Sequence, residues 1–293
     1  MNIAIYGRNF GNNFTGMAIQ LFEELKKNNI NIFINKKFYI FLKEKAYYNL
    51  LNTTLYENEL PKNTKIDFLF SIGGDGTFLE ASSLIYDSNI PILGINTGRL
   101  GFLSYVNSKI LIMSIQQVLE GKFTIEKRML LDVSAENNFY GNNSYCLNDF
   151  VVQKKSSSSM IKTKVFVNNS LLNTYFSDGI IISTPTGSTA YSLSCGGPII
   201  EPQSEVILIT PIANHNLTVR PIVVSANSEI KVVFDSPINH LLVSMDYRSF
   251  EIDKIKSISI KKADKYISFV NLFENNYFLT LSEKLYWGLD IRT

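Results

Sequence analysis

The apolar run IDFLF at residues 66–70 stops at a turn, SIGGDGT, with three glycines in four positions, and a helix-like FLEASSLIY follows at once. A strand that ends in a glycine turn and feeds a helix is half of a strand–helix–strand unit, and such units stack into a parallel sheet wrapped by helices. The same alternation fills the first third of the chain. NIAIYG (2–7) reads as a strand, TGMAIQLFEELKKN (15–28) as an amphipathic helix, INIFIN (30–35) as a second strand and IPILGINTGRLGFLS (90–104) as a later strand run ending in glycines. Ligands on such sheets sit at the carboxyl ends of the strands, where both glycine-rich stretches fall.

From about residue 125 the texture changes to short alternating runs, among them MLLDVSAE, SYCLNDFVVQK, KTKVFVNNSLLNTYF, GIIIST, EVILIT and HLLVSMDYRSFEI. Turns rich in Asn, Gly, Ser and Pro separate them, which predicts an antiparallel β-sandwich. The final FLTLSEKLYWGLDIR is helical in pattern and is expected to return to the first domain. The expected fold is thus an N-terminal Rossmann-like α/β domain, residues 1–125 with 270–293, and a C-terminal antiparallel β-sandwich domain, 126–269. KKSSSS at 154–159 is read as a mobile loop.

Composition narrows the class. With 293 residues, 45% of them hydrophobic and 18% charged, the chain is globular and long enough for two domains. A net charge of +2, with Lys and Arg scattered, argues against nucleic acid as a partner but suits a small anionic ligand. The two cysteines lack metal-ligand spacing and disulfide density, which fits a reducing cytoplasm. No signal-peptide pattern and no membrane-length apolar run is present, so a soluble cytoplasmic protein is expected, with no membrane partner.

Gly73, Gly74 and Gly76 suit a backbone that a phosphate approaches closely, and Thr77 adds a hydroxyl. Asp75 in the same turn would repel that phosphate, so it needs another task. Phosphoryl transfer offers one, because an acid beside the acceptor hydroxyl can orient it and take its proton. A helix cap is the plain structural alternative for Asp75.

Three further stretches join this turn: NTGRLGFLS (96–104), LND (147–149) and SDGIIISTPTGSTAYSLSCGGPI (177–199). Together the four resemble the bacterial NAD kinases, which phosphorylate the 2′-hydroxyl of the adenosine ribose of NAD. The resemblance covers most of the chain, and PIANHNLTVRPIVV (211–224) and EKLYWGLDIR (283–292) support it more weakly. It implies that Asp75 is the general base, that Gly73, Gly74, Gly76 and Thr77 serve the ATP phosphates, and that Gly74, Asp75 and Gly76 also meet NAD. It carries NAD binding onto Phe102, Asn148, Asp149, Asp178, Thr186, Thr189, Ala190, Tyr191, Ser194 and Asp246. It also implies ATP as donor, a divalent cation (Mg²⁺ or Mn²⁺) and a homodimer or homotetramer.

Two departures from the family pattern stand out. Asp149 follows Asn148 where most members have Glu, and Asp246 is followed by Tyr247-Arg248 where Gly-Gln is common. The glycine turn alone is shared with lipid and sugar kinases, so those remain alternatives, as does a non-catalytic dinucleotide sensor that kept the fold. The intact Asp75 speaks against the sensor.

Overall fold

The computed structural model describes residues 1–46, 53–98, 100–155, 160–234, 241–253, 255–272 and 276–286. The serine run at 156–159 and the end of the C-terminal stretch, 287–292, lie outside them. The chain opens with β1 (Asn2–Gly7), α1 (Thr15–Lys27), β2 (Asn31–Asn35), α2 (Lys36–Ala46) and β3 (Thr53–Tyr56). Next come β4 (Phe68–Ile72), α3 (Asp75–Ser83), β5 (Ile92–Ile95) and α4 (Leu111–Leu119). Strands β6 (Thr124–Ala135), β7 (Tyr145–Cys146), β8 (Asp149–Lys154), β9 (Ile161–Val167), β10 (Ser170–Ser177) and β11 (Gly179–Ser183) follow. After the short α5 (Tyr191–Ser194) the order is β12 (Val206–Ile212), β13 (Ile222–Ser225), β14 (Ile230–Phe234), β15 (Leu241–Met245), β16 (Arg248–Ile252), β17 (Ser257–Asn271) and α6 (Tyr277–Leu285).

The chain forms two compact units, Met1–Glu126 with Ile267–Thr293, and Lys127–Tyr266. In the first, strands run in parallel in the order β17-β5-β4-β1-β2-β3, with Phe269 at the end of β17 beside Ile92. Strands β4 and β5 are buried along their whole length, as expected of central strands covered on both faces. Helix α1 buries Ala18, Leu21, Phe22 and Leu25, one face at helical spacing, against the core around Ile3, Ile5, Ile34 and Phe70.

Two stretches are shorter than their apolar pattern suggests, and side chains explain both. Helix α3 stops at Ser83 because the hydroxyls of Ser82 and Ser83 turn back onto the carbonyls of Leu79 and Glu80, at 2.8 and 2.7 Å. Strand β5 stops at Ile95 because Asn96 starts a turn. Its Oδ1 accepts the Gly98 N–H at 2.7 Å and its Nδ2 donates to the Ser104 carbonyl at 3.2 Å.

The second unit packs two sheets face to face. One runs β13-β12-β11-β8-β15-β16; the other contains β10-β9-β14-β17, with β6 pairing β17 and β7. Phe150, Val152, Ile180, Ile182, Ile207 and Val243 of the first sheet meet Val165, Ile230, Val232, Ile258 and Ile260 of the second in one core. KTKVFVNNSLLNTYF folds into the β9–β10 hairpin, with Asn168 and Asn169 in the left-handed conformation at φ 49° and 66°. Strand β11 does not alternate because its second face is covered as well: Ile181 packs with Val151, Ile212 and Cys195. Among the described residues no helix is long and apolar enough to cross a membrane.

Candidate active site

In the first unit the glycine turn joins β4 to α3. Gly73 has φ 157°, and a Cβ there would run into the side chain of Thr77, so only glycine fits. Above Gly74 and Gly76, by contrast, a Cβ would meet only open space. Gly74 is the N-cap of α3 and no side chain caps the helix, so the turn presents its first amides and the positive end of the helix dipole. An anion is the natural complement of that end.

Asp75 does not cap its own helix. Its Oδ1 accepts the backbone N–H groups of Leu103 and Ser104 at 3.0 and 3.1 Å, and its Oδ2 accepts that of Phe102 at 2.9 Å. The carboxylate lies so close over Gly101 that a Cβ on that residue would collide with it. The fourth donor is the Lys284 ammonium of α6, 3.2 Å from Oδ2. Lys284 also lies over the Phe102 ring at 4.4 Å, and Tyr277, two turns earlier on α6, approaches that ring at 6.5 Å. Phe102 is therefore gripped by one face of the C-terminal helix. Gly101 and Lys284 were not singled out from sequence. Gly101 was at least visible in the second glycine stretch, and Lys284 lies in the helix expected to return to the first domain, but nothing marked it as the partner of Asp75, 209 positions away.

In the second unit Asn148 and Asp149 lead into β8, and the turn after β11 docks onto them. The Thr184 N–H donates to the Asn148 carbonyl at 2.9 Å, while the Thr184 and Ser183 hydroxyls donate to the Leu147 and Asn148 carbonyls at 2.6 and 3.1 Å. Gly187 sits where any side chain would strike the Asn148 backbone, and its N–H donates to Thr184 Oγ1 at 3.1 Å. Thr184 thus anchors the turn to Leu147 and Asn148, and sequence reasoning passed over it although it lies inside the hydroxyl-rich stretch. Thr186 is buried and accepts from Arg128 Nη1 at 3.4 Å; Thr189 donates back to the Thr186 carbonyl at 3.4 Å. Tyr191 and Ser194 lie on the exposed side of α5, with Ala190 half-buried before them. Asn148 Oδ1 is buried and has no hydrogen-bond partner among the described residues.

Asp246 occupies the turn of the β15–β16 hairpin in the left-handed conformation, φ 54°. Its carboxylate clamps three successive amides: Leu147 N–H at 2.8 Å, Asn148 N–H at 2.7 Å and Asp149 N–H at 3.2 Å. Its own N–H returns to the Asp149 carbonyl at 3.0 Å. Arg248 braces the approach to this loop, donating to the Asn143 carbonyl at 2.6 Å and to that of Tyr145. Asp178 stands apart, before β11 at the end of the strand opposite Asp149, and is paired with Lys154 at 2.7 Å.

The Asp149 carboxyl is buried and its pKa is pushed up to about 8, first by loss of solvation and then by the charge of Asp246; the Tyr191 N–H, which donates to it, pulls the other way. Burial also raises the pKa of Asp246, against the three amides and Arg248. The sign of the resulting pH effect follows. Between the ordinary carboxylate pKa near 4 and about 8 the folded ligand-free protein keeps a proton on Asp149 that the unfolded chain releases, so raising pH favours unfolding. Stability of the ligand-free protein is expected to fall across that window relative to Asp149→Asn, which lacks the titrating group. Parallel pH dependence of wild type and variant in urea unfolding would contradict this.

The chain thus joins a parallel α/β unit that carries an acid in an open glycine turn to a β-sandwich whose hydroxyl-rich turn docks on an Asn-Asp pair. The ATP-NAD kinase N-terminal domain family matches residues 4–123 and the ATP-NAD kinase C-terminal domain family matches residues 147–272. The chain is 40% identical to the NAD kinase of Flavobacterium psychrophilum over 295 aligned residues, covering 100% of both, and 40% identical to that of Bacteroides fragilis over 292, again covering 100% of both. The chain belongs to the ATP-NAD kinase family. Among solved structures, yeast NADH kinase complexed with NADH superposes with a TM-score of 0.86 at 24% identity, covering 100% of this chain and 89% of that one. An NAD kinase from Archaeoglobus fulgidus in complex with ATP gives 0.76 at 24% identity, covering 98% and 99%. At that identity the two structures establish a shared fold.

Proposed function

We infer that this chain is an NAD kinase that moves the γ-phosphoryl group of ATP to the 2′-hydroxyl of the adenosine ribose of NAD, giving NADP and ADP. The observation that carries the reading is Asp75, a carboxylate fixed on the 102–104 amides beside the open, uncapped start of α3. In the transfer, a bond forms between the ribose oxygen and the γ-phosphorus, the bridging bond to the β-phosphate breaks, and Asp75 receives the hydroxyl proton. The amides of Gly74, Gly76 and Thr77 would face phosphate oxygens, as a helix start does.

In the second unit the unpartnered Asn148 Oδ1 asks for a donor, which a ribose hydroxyl or an amide of NAD supplies. The protonated Asp149 carboxyl can itself donate a hydrogen bond. Thr186, Thr189, Ala190, Tyr191 and Ser194 offer hydroxyl and close-approach surface for the dinucleotide, and Phe102 an aromatic face. Asp246 supports that site from behind, through the amides of 147–149. Asp178 is paired with Lys154 through one oxygen, and its carboxylate could accept a ligand hydroxyl beside that pair.

A divalent cation is part of the proposal, but among the described residues no group of three or more His, Cys, Asp or Glu gathers to hold one. The donor's phosphates are its natural ligands. A cytoplasmic homodimer or homotetramer is the assembly proposed from the family resemblance. The experiment is to incubate the protein with NAD, ATP and Mg²⁺ and to couple the product to an NADP-specific dehydrogenase. NADP should form, and stop forming when a chelator is added; tight NAD binding with no product would instead favour the sensor.

A further inference from the structure

The geometry points to Lys284 as an exchangeable partner of the acid in the glycine turn: its ammonium fills the position on Asp75 that an acceptor hydroxyl must occupy, and it leaves when the dinucleotide binds. This rests on the reading of Asp75 as the group that meets the ribose hydroxyl. A carboxylate offers about four acceptor positions, two on each oxygen. On Asp75 all four are taken, with Oδ1 holding the amides of Leu103 and Ser104 and Oδ2 holding the Phe102 amide and Lys284. A hydroxyl cannot be oriented by this carboxylate until one donor withdraws.

The four donors are unequal. Three are consecutive backbone amides on one loop, and freeing any of them would strand a partly buried N–H, which is costly. Lys284 ends a long flexible side chain that is 30% exposed, so its ammonium can move into water while its stem stays on Phe102. The pair is half-buried, with side chains 30% and 28% exposed, so water still reaches and screens it and the contact is modest, which suits one that must be given up at each turnover. Until the dinucleotide arrives, the same contact holds the carboxylate in one orientation and ties α6 to the catalytic loop. Residue by residue, the C-terminal helix thereby becomes part of the machinery: Tyr277 and Lys284 grip Phe102, and Lys284 covers Asp75.

Competition of this sort lowers apparent affinity, because only the fraction of molecules with Asp75 released can take the hydroxyl. Lys284→Met keeps most of the apolar stem and removes the ammonium, and Lys284→Gln, with a shorter stem and a neutral amide, removes the charge but keeps a polar end. Titration calorimetry with NAD, on wild type and on both variants, is expected to show NAD bound about two- to five-fold more tightly by the variants, the range of a solvent-screened ion pair. In an Asp75→Asn background the same substitutions should change NAD affinity little, since the charge they relieve is gone. Circular dichroism melts identify which variant is folded, and either one suffices. Unchanged or weaker NAD binding by a folded variant overturns the exchange, as does tightening that persists without the Asp75 charge. Wild-type protein that fails to bind NAD overturns both the exchange and the functional reading beneath it.

Discussion

Asp75→Asn is expected to lower kcat for NAD phosphorylation by about 10²–10⁴, the usual worth of a positioned general base. The substitution is informative because of how the carboxylate is held. Asparagine keeps one oxygen, which can still accept the Leu103 and Ser104 amides that Oδ1 accepts now. It loses the ability to accept a proton, and its amide nitrogen faces the Phe102 N–H and Lys284, two donors that want an acceptor. A stability loss of about 1–3 kcal/mol is expected from that mismatch, far less than would unfold a domain of this size. The helix-cap alternative makes a different forecast. Gly74, not Asp75, is the N-cap of α3, so the start of the helix should lose only the roughly 0.3–1 kcal/mol that a first-turn acid contributes through the dipole. Steady-state kinetics in the coupled assay, read beside thermal melts, separates the two effects. A variant that melts a few degrees low yet phosphorylates NAD within about threefold of wild type would remove Asp75 from the chemistry.

Why the sequence displayed some of this and hid the rest is a matter of range. Local chemistry was legible: the glycine turn announced a helix start, and the switch from helical to alternating spacing near residue 125 a change of architecture, whereas the Asn168-Asn169 turn lay hidden inside a run read as one piece. The class of fold followed from those signals, because each depends on a few neighbouring residues. The ends of elements were less legible where a single polar side chain overrode an apolar pattern, as Asn96 does to β5 and Ser82 and Ser83 do to α3. Direction was illegible altogether. Family resemblance marked Asp75 and Asp246, but not that each carboxylate would gather three consecutive amides from a loop far away in sequence, 102–104 in one case and 147–149 in the other. The return of the C-terminal helix to the first domain was expected from sequence, but not that Lys284 on it would meet Asp75.

Asp246→Gly should cost the protein about 2–4 kcal/mol of stability and weaken NAD binding, even if Asp246 never touches the dinucleotide. The carboxylate accepts the amides of Leu147, Asn148 and Asp149, and two of those residues, Leu147 and Asp149, are buried. Removing the acceptor leaves those donors unmet, at about 1–3 kcal/mol for each one that water cannot reach. Part of the cost is returned, because a carboxylate whose pKa burial has raised is itself expensive to keep charged. Glycine is the right replacement because φ at this position is 54°, which glycine adopts freely; Asp246→Ala should cost a further 1 kcal/mol or so for the left-handed backbone alone. The comparison of the two variants therefore separates backbone strain from the lost clamp. Binding should suffer because Asn148, whose Oδ1 awaits a donor, is held in place by this clamp on one side and by Thr184 and Gly187 on the other. Urea unfolding followed by circular dichroism measures the first effect and calorimetry with NAD the second. An Asp246→Gly protein within 0.5 kcal/mol or so of wild type would mean that water reaches these amides and that the loop needs no clamp.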